Sequence, residues 1–415
     1  MAHNVTRLHG ALFLIFFGPL ILSGCQNPEP ADIVKGYVNP AALDTGLPVI
    51  KIDTRDNQQI TSKEIYIEAD VEITDPVNAD NNLQAETEIR GRGNTTWGYL
   101  KKPYRLKFFD KQSLFGLEKA KSWVLLANYL DPTLIMTSIA FELGRIFGLP
   151  YSNHYNHVEV ILNGVYEGSY VLTEQVQAGK GRVDIDEDEG FLVELDTYYD
   201  EEPKFKTNRY ELPVMIKSPE YSENSSAPEY DFVKKAINDL EELLYADSFP
   251  NNNYRDLIDI NAFVDFLIIN EIVANGELIH PKSTYMYKDK GSAKIGMGPL
   301  WDFDWAFGYT DDRNIYFIDP EKRNQIHPFF KRFFDDPAFR ELYKERWNSH
   351  YTEVAGMESF IGNMATRLDK SQKANYAVWK WYTRVNYTSE ITKMKAYWHT
   401  RVAYLNTEIN ALNLP

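Results

Sequence analysis

The sequence predicts an α+β protein of two lobes, strand-rich over about residues 47–220 and helix-rich over about residues 221–415. Three observations predict it. Before residue 220, short runs alternate apolar and polar residues, the period of half-buried strands. From Asp231 onward the apolar spacing changes to three and four, the period of helices. Between two alternating runs sits Asn163-Gly164, the strongest short hairpin signal. Strands first and helices afterwards, rather than strict alternation, indicate α+β with a cleft between the lobes.

Taken in order, Pro48–Ile52, Glu64–Ile73 and Thr87–Arg90 read as antiparallel strands. The third leads into Gly91-Arg92-Gly93-Asn94-Thr95-Thr96-Trp97. Next, Lys101 to Phe108 places Tyr104, Leu106 and Phe108 on one strand face and Arg105 and Lys107 on the other. A glycine-bearing turn brings backbone N–H groups close to a phosphate, and a basic strand beside it neutralises one. A Gly-Arg-Gly hairpin next to a solvated basic strand is the commoner reading. Trp123–Tyr129 is strand-like, and Asp131-Pro132 predicts a helix start with Asp131 as N-cap. Ile135, Ile139, Leu143 and Ile146 give that helix one buried face, and Gly148 ends it.

Val158–Leu162 and Tyr166–Val176 flank the Asn-Gly turn, and Phe191–Asp196 with Leu212–Lys217 add two more strands. Tyr221–Pro228 is a polar loop and a plausible boundary. Val233, Ile237, Leu240 and Leu244 form a helical stripe. Ile260–Ala274 is apolar almost all round and therefore a buried helix, capped near Asp259 or Asn261. Asn270 and Glu271 at its end then need buried partners. The rest of the chain reads as aromatic-rich helices, including Phe329–Phe334, Phe339–Trp347, Ala374–Tyr382 and Ile391–Leu405.

Between the helical stretches lies Ser283–Gly308, read as two short strands joined by Asp289-Lys290-Gly291-Ser292. In an extended segment residues two apart point the same way. Asp302 and Asp304 then share a face, and Trp301, Phe303 and Trp305 take the other. Two carboxylates among apolar neighbours are costly unless a cation joins them. A divalent metal with a phosphate ester behind it satisfies that demand.

The N-terminal region is organised differently. Arg7, the apolar run Ala11–Leu22 and then Ser23-Gly24-Cys25 resemble a bacterial lipoprotein signal, predicting removal of residues 1–24 and lipidation of Cys25. Residues 25–46, rich in Pro, Asn and Ala, read as a tether, and residues 47–415 as the exported domain. The protein is then expected on the cell envelope of a bacterium, anchored to a membrane through lipid on Cys25. No second cysteine exists to pair with Cys25, so the fold rests on its core. A formal charge of −16 argues against nucleic acid as a partner.

With these residues in view the chain resembles the CotH family of spore-coat and secreted kinase-like proteins. The stretches that carry the resemblance are RGRGNTTWGYLKKPYRLKF, SWVLLANYLDPTLI, VEVILNGVYEGSYVLTEQV, GFLVELD, MIKSPE, NAFVDFLIINEIVAN, STYMYKD and GPLWDFDWAFG, in that order. The resemblance implies a divergent protein-kinase-like fold, ATP with Mg²⁺ or Mn²⁺, and phosphoryl transfer to Ser/Thr of exported or surface proteins. Arg92, Gly93 and Asn94 of the RGRGN turn would cover the ATP phosphates. Lys102 or Lys107 would reach the α/β-phosphates, with Glu142 as the partner of that lysine. Thr173 to Val176, including Glu174 and Val176, would be the hinge that contacts adenine. Asp302 would correspond to the metal-binding aspartate of a kinase Asp-Phe-Gly, with Asp304 as second ligand.

One stretch departs from the family pattern. Where many relatives offer a catalytic Asp and then an Asn, this chain has Asn275-Gly276-Glu277 and, further on, Ser283. Glu277 is the nearest carboxylate for the catalytic base, and Ser283 or Asn275 would supply the amide-like role. A displacement on the order of 1 Å costs about a hundredfold in a positioned reaction. The alternative function is therefore a catalytically weak or inactive surface lipoprotein that binds a protein or a glycan. A glycosidase is disfavoured, because carboxylates two residues apart on one strand do not flank a bond from opposite sides. His154 and His157, three apart on a strand approach, face opposite ways and do not form a zinc pair.

Overall fold

The computed structural model describes residues 35–220, 230–308, 317–319, 322–380 and 386–412. Cys25, the signal segment, part of the tether, the Tyr221–Pro228 loop and Tyr382 lie outside the described residues. Mixed α and β content is observed, with two sheets and seven α-helices among the described residues.

Seven strands close a barrel: β1 (Val49–Thr54), β2 (Ile67–Thr74), β3 (Leu83–Gly91), β4 (Tyr104–Gln112), β5 (Ala120–Leu126), β6 (Tyr155–Leu162) and β7 (Val165–Glu174), in the order 1-2-3-4-5-7-6. Closure comes from a parallel β1–β6 pairing, which leaves no free edge. Alternation dictates which side chains fill it. Along β2, Ile67, Ala69, Val71 and Ile73 point in, and Glu68, Asp70 and Glu72 point out. Ile52, Ile89, Leu106, Trp123 and Val160 are fully buried in the same core. The β6–β7 hairpin turns at Asn163 and Gly164, with φ of 50° and 75°, the left-handed pair a two-residue turn requires.

Helix α1 (Met136–Phe147) connects β5 to β6 and starts later than the sequence suggests. Leu134 has φ of 62°, so the helix cannot run through from Pro132. Asp131 instead reaches across the turn, accepting from the N–H of Thr133 at 2.7 Å and of Met136 at 2.8 Å. Gly148, in the left-handed conformation, ends the helix as expected.

The second sheet has five strands: β8 (Phe191–Leu195), β9 (Lys204–Lys206), β10 (Pro213–Ser218), β11 (Thr284–Lys288) and β12 (Gly296–Met297), ordered 12-11-8-10-9. Strands from both sides of the Tyr221–Pro228 loop thus share one sheet. The buried residues of β8 and β11 join one core with those of α1, α2 (Asp231–Tyr245), α3 (Ile260–Ile272), α4 (Pro328–Arg332), α5 (Pro337–Arg367) and α7 (Tyr387–Ala411). Val233, Ile237, Leu240 and Leu244 line the buried side of α2, and Asp259 caps α3 by accepting from Ala262 N–H. Helix α6 (Asp369–Val378) packs on the barrel instead, where Lys101 donates to Ser169 O and to Asn375 Oδ1. Residues 35–46 run along the same side, with Gly36 N–H donating to Val378 O and Lys35 pairing with Glu167.

Every residue of α3 from Ala262 to Ile272 is buried, so its polar members must find partners inside. They do. Asn270 Nδ2 donates to Phe266 O, and its Oδ1 accepts from Asn275 Nδ2 at 3.0 Å. The Glu271 carboxylate accepts from Tyr343 Oη and from Ile318 N–H, while Arg401 donates to the Glu271 carbonyl.

A buried imidazole makes the fold acid-sensitive. His157 on β6 meets Ser138 Oγ of α1 at 2.8 Å, and its Nδ1 is buried without a partner. Burial, helped by the Arg367 charge, pushes its pKa down to about 3. The unfolded chain protonates near pH 6.5 and the folded chain does not, so stability is full above about pH 6.5 and falls as pH drops toward 3. The slope is ~1.4 kcal/mol per pH unit. Between pH 7 and pH 4.5, chemical denaturation of His157→Gln should show ~2 kcal/mol less acid destabilisation than wild type. Equal losses in both would refute this.

Candidate active site

Between the barrel and the second sheet opens a cleft of about 520 Å³. The chain reaches it where local rules are bent. Gly93, Asn128, Ser283 and Asp302 all line it with positive φ, at 79°, 48°, 45° and 60°. For the three non-glycine residues such conformations cost on the order of 1–3 kcal/mol each and persist because the surroundings fix them.

Asp302 and Asp304 both face this cleft from the loop that follows β12. Trp301 and Phe303 alternate with them and pack on Phe141 of α1. All three aromatic residues line the cleft beside the aspartates rather than a separate face, unlike the sequence expectation, and Trp305 receives the Lys282 ammonium over its ring. The left-handed turn at Asp302 ends the strict alternation. Burial raises the Asp302 pKa, opposed by Arg92, Lys282 and the Ser283 hydroxyl. Asp304 is pushed up to about 8 by burial and by the neighbouring Asp302 and Asp131 charges. Together they are a carboxylate pair short of positive charge.

Two polar chains hold the pair in place. Asp196, at the end of β8, accepts from Ser283 N–H at 3.1 Å and from Tyr198 N–H at 2.8 Å, and Ser283 in turn bonds Asp302. From the other side Asn275 donates to Asn270 Oδ1 and to the Asp302 carbonyl at 3.5 Å. The loop is further tied to α3 by Phe307 N–H donating to Val273 O. The buried Asn270 that looks anomalous in sequence thus supports the carboxylate loop.

Opposite lies the RGRGN turn. Arg92, Gly93 and Asn94 line the cleft, with Arg92 over the Trp301 ring at 5.2 Å. Asn94 accepts from Lys63 Nζ at 2.8 Å. Val176, just past β7, and Glu277, in the short helical turn after α3, are also lining residues.

Four expected residues lie elsewhere. Lys102 donates to Trp97 O at 2.6 Å and sits over the Trp97 ring, outside the cleft lining. Lys107 is exposed beside Tyr66. Glu142 pairs with Arg145 one turn along α1 rather than with a strand lysine. Glu174 holds His154 Nδ1 at 2.6 Å and lines an adjacent cavity of about 310 Å³ that shares Gln175, Val176 and Gln177 with the cleft. The basic groups that do line the cleft are Lys63, Arg90, Arg92, Arg105, Lys217 and Lys282. Of these, Arg105 was marked in sequence only as a face-mate of Lys107. Lys282 and Asp196 carried no local signal beyond their strand ends.

The donor set suits a hard cation. Among the described residues no group of three or more His, Cys, Asp and Glu side chains is placed to hold a metal alone. Mg²⁺, however, commonly takes one or two carboxylates and completes its shell with phosphate oxygens and water. Asp302 and Asp304 fit that pattern, and their raised pKa values express the same missing charge. No described helix is long and apolar enough to cross a membrane.

No curated protein matches the chain. The family model for CotH kinase protein matches residues 89–405, from near the end of β3 to the last helix and across every cleft-lining segment from Arg90 onward. That match spans most of the sequence, and the chain belongs to the CotH kinase family.

Proposed function

We propose that this protein is an ATP- and metal-dependent kinase that phosphorylates Ser/Thr of exported or surface proteins from a lipid anchor at Cys25. The barrel and the second sheet with its helices would be the two lobes of a divergent protein-kinase-like fold. One observation carries the reading: Asp302 and Asp304 meet Arg92 and the RGRGN turn across a single cleft.

The carboxylates of Asp302 and Asp304 would hold Mg²⁺ or Mn²⁺, which when bound neutralises charge on the β- and γ-phosphates. Arg92 places a guanidinium next to the pair, and Lys282 adds a second positive charge from between the Tyr198 and Trp305 rings. Gly93, at φ of 79°, gives the turn its shape, and a Cβ there would clash with Thr96 Oγ1. Val176 offers apolar surface for adenine. Glu277, which lines the cleft, would accept the proton of an acceptor hydroxyl. Phosphoryl transfer depends mainly on positioning and charge, which this arrangement supplies.

Two measurements test the reading. Mg-ATP at a hundred times its Kd should stabilise the folded protein by ~2.7 kcal/mol, and EDTA should remove the effect. Purified full-length protein with γ-labelled ATP should label protein substrates in a metal-dependent way. Stabilisation without transfer indicates a nucleotide-binding protein that does not turn over, the outcome that Glu277 in place of Asp allows. Absence of both overturns the nucleotide reading. Glu277→Gln should lower transfer about 10²–10⁴-fold with little change in Mg-ATP stabilisation, the signature of a lost base.

A further inference from the structure

We propose that Arg90, Arg92 and Arg105 form one seat for a polyphosphate chain, in which Arg90 and Arg105 hold phosphoryl groups beyond the one that Arg92 holds beside Asp302. The proposal rests on the nucleotide reading above and names what grips the nucleotide in place of the expected lysines.

The register puts the arginines together. Arg90 and Arg105 are directly opposite each other in the β3–β4 pair, and Arg92 follows two residues on, just past the end of β3, lining the same cleft. Ile89 and Leu106, their neighbours, fill the barrel core, so the arginines face out into the cleft. Like charges directly opposite on adjacent strands destabilise a sheet. The charges of Asp302 and Glu194 act on Arg92 and that of Glu201 on Arg105, but among the described residues none of the three forms an ion pair.

Aromatic rings orient two of them. Arg90 lies over the Tyr66 ring at 4.9 Å and Arg92 over the Trp301 ring at 5.2 Å. Arg105 spends one Nη2 bond on Ser122 Oγ at 3.1 Å. The Nε atoms of Arg90 and Arg105 are buried without a partner. A guanidinium stacked on a ring keeps its N–H edge for a planar or tetrahedral anion. Arg90 and Arg92 are attached roughly 6.6 Å apart at the end of β3. That spacing spreads positive charge along the cleft and matches a chain of phosphoryl groups better than a single one.

Inorganic tripolyphosphate and orthophosphate test this on the full-length protein by calorimetric titration without metal or nucleotide. Tripolyphosphate should bind at least about tenfold tighter than orthophosphate, and Arg90→Gln and Arg105→Gln should each weaken it about tenfold. Unliganded melting temperatures should stay level or rise in these variants, since repulsion is removed. Tripolyphosphate binding unchanged within about twofold in the double variant, with Mg-ATP stabilisation intact, overturns the seat and leaves the nucleotide reading standing. Failure of wild type to bind either tripolyphosphate or Mg-ATP removes both. Should the Gln double variant not fold, Arg90→Lys with Arg105→Lys keeps the charge and loses the forked donors, and must still weaken tripolyphosphate.

Discussion

Asp302→Asn should abolish metal-dependent phosphoryl transfer, by about 10³-fold or more, while leaving the protein as stable as wild type or more so. Asn keeps the size of the side chain and its reach to Ser283, so the left-handed turn at residue 302 has no reason to change. What disappears is the negative charge. Without it the metal loses one of two carboxylates, and the charge built up on the transferring phosphoryl group loses its counter-ion. Loss of one well-placed electrostatic partner costs about 10²–10³ in rate, and loss of a metal ligand more. Stability moves the other way. Burial disfavours the ionised form of both aspartates, and the Asp302 charge adds to that burden on Asp304. Removing one charge removes that repulsion, so the melting temperature should hold or rise. Retention of more than a tenth of the wild-type rate would sink the metal role of Asp302. A large drop in melting temperature would instead mean that the residue is structural.

The second large effect concerns stability. Glu271→Ala should destabilise the fold by ~3–5 kcal/mol, the range for removing one partner of a buried charged network. Glu271 is fully buried in α3. Its carboxylate accepts from Tyr343 of α5 and from the N–H of Ile318, and the Arg401 charge of α7 opposes the burial that raises its pKa. Alanine leaves the Tyr343 hydroxyl without its acceptor and deprives Arg401 of the facing negative charge. The damage should spread to the cleft, because the end of α3 carries Asn270, which positions Asn275 on the carboxylate loop, and leads into Val273, which binds Phe307 of that loop. Urea denaturation measures the effect directly. Tyr343→Phe, which removes a single hydroxyl, should cost ~1 kcal/mol on the same scale. A loss below about 1 kcal/mol for Glu271→Ala would show that the network contributes little.

Local sequence rules reach far into this fold where they depend on neighbours alone. The Asn163-Gly164 turn, the buried stripe of α2 and the all-round burial of α3 follow from period and turn chemistry. Where non-local geometry intervenes, those rules fail. Leu134 takes a left-handed conformation, and the helix expected at Pro132 begins at Met136. Trp301, Phe303 and Trp305 line the cleft together with the aspartates, because the chain turns at Asp302 instead of running on extended. Glu142 finds Arg145 within its own helix, a partner nearer than any strand lysine.

The lysines are the clearest case. Alternation places Arg105 and Lys107 on one face of β4, yet Arg105 borders the cleft and Lys107 lies exposed beside Tyr66. Period two fixes the face of a strand and says nothing of where along that face another part of the chain will stand.

By itself the sequence determined the α+β content, the carboxylate pair with its aromatic neighbours, the glycine-bearing basic turn, and the need of Asn270 and Glu271 for buried partners. Each depends on residue type and spacing within a short stretch. Only the tertiary structure decided that Arg90 and Arg105, not Lys102 and Lys107, border the cleft, and that Asp196 and Asn275 hold the carboxylate loop from two sides. Those assignments depend on the closure of the barrel and its register against the second sheet. They are set by contacts between residues distant in the chain, to which local periodicity is blind.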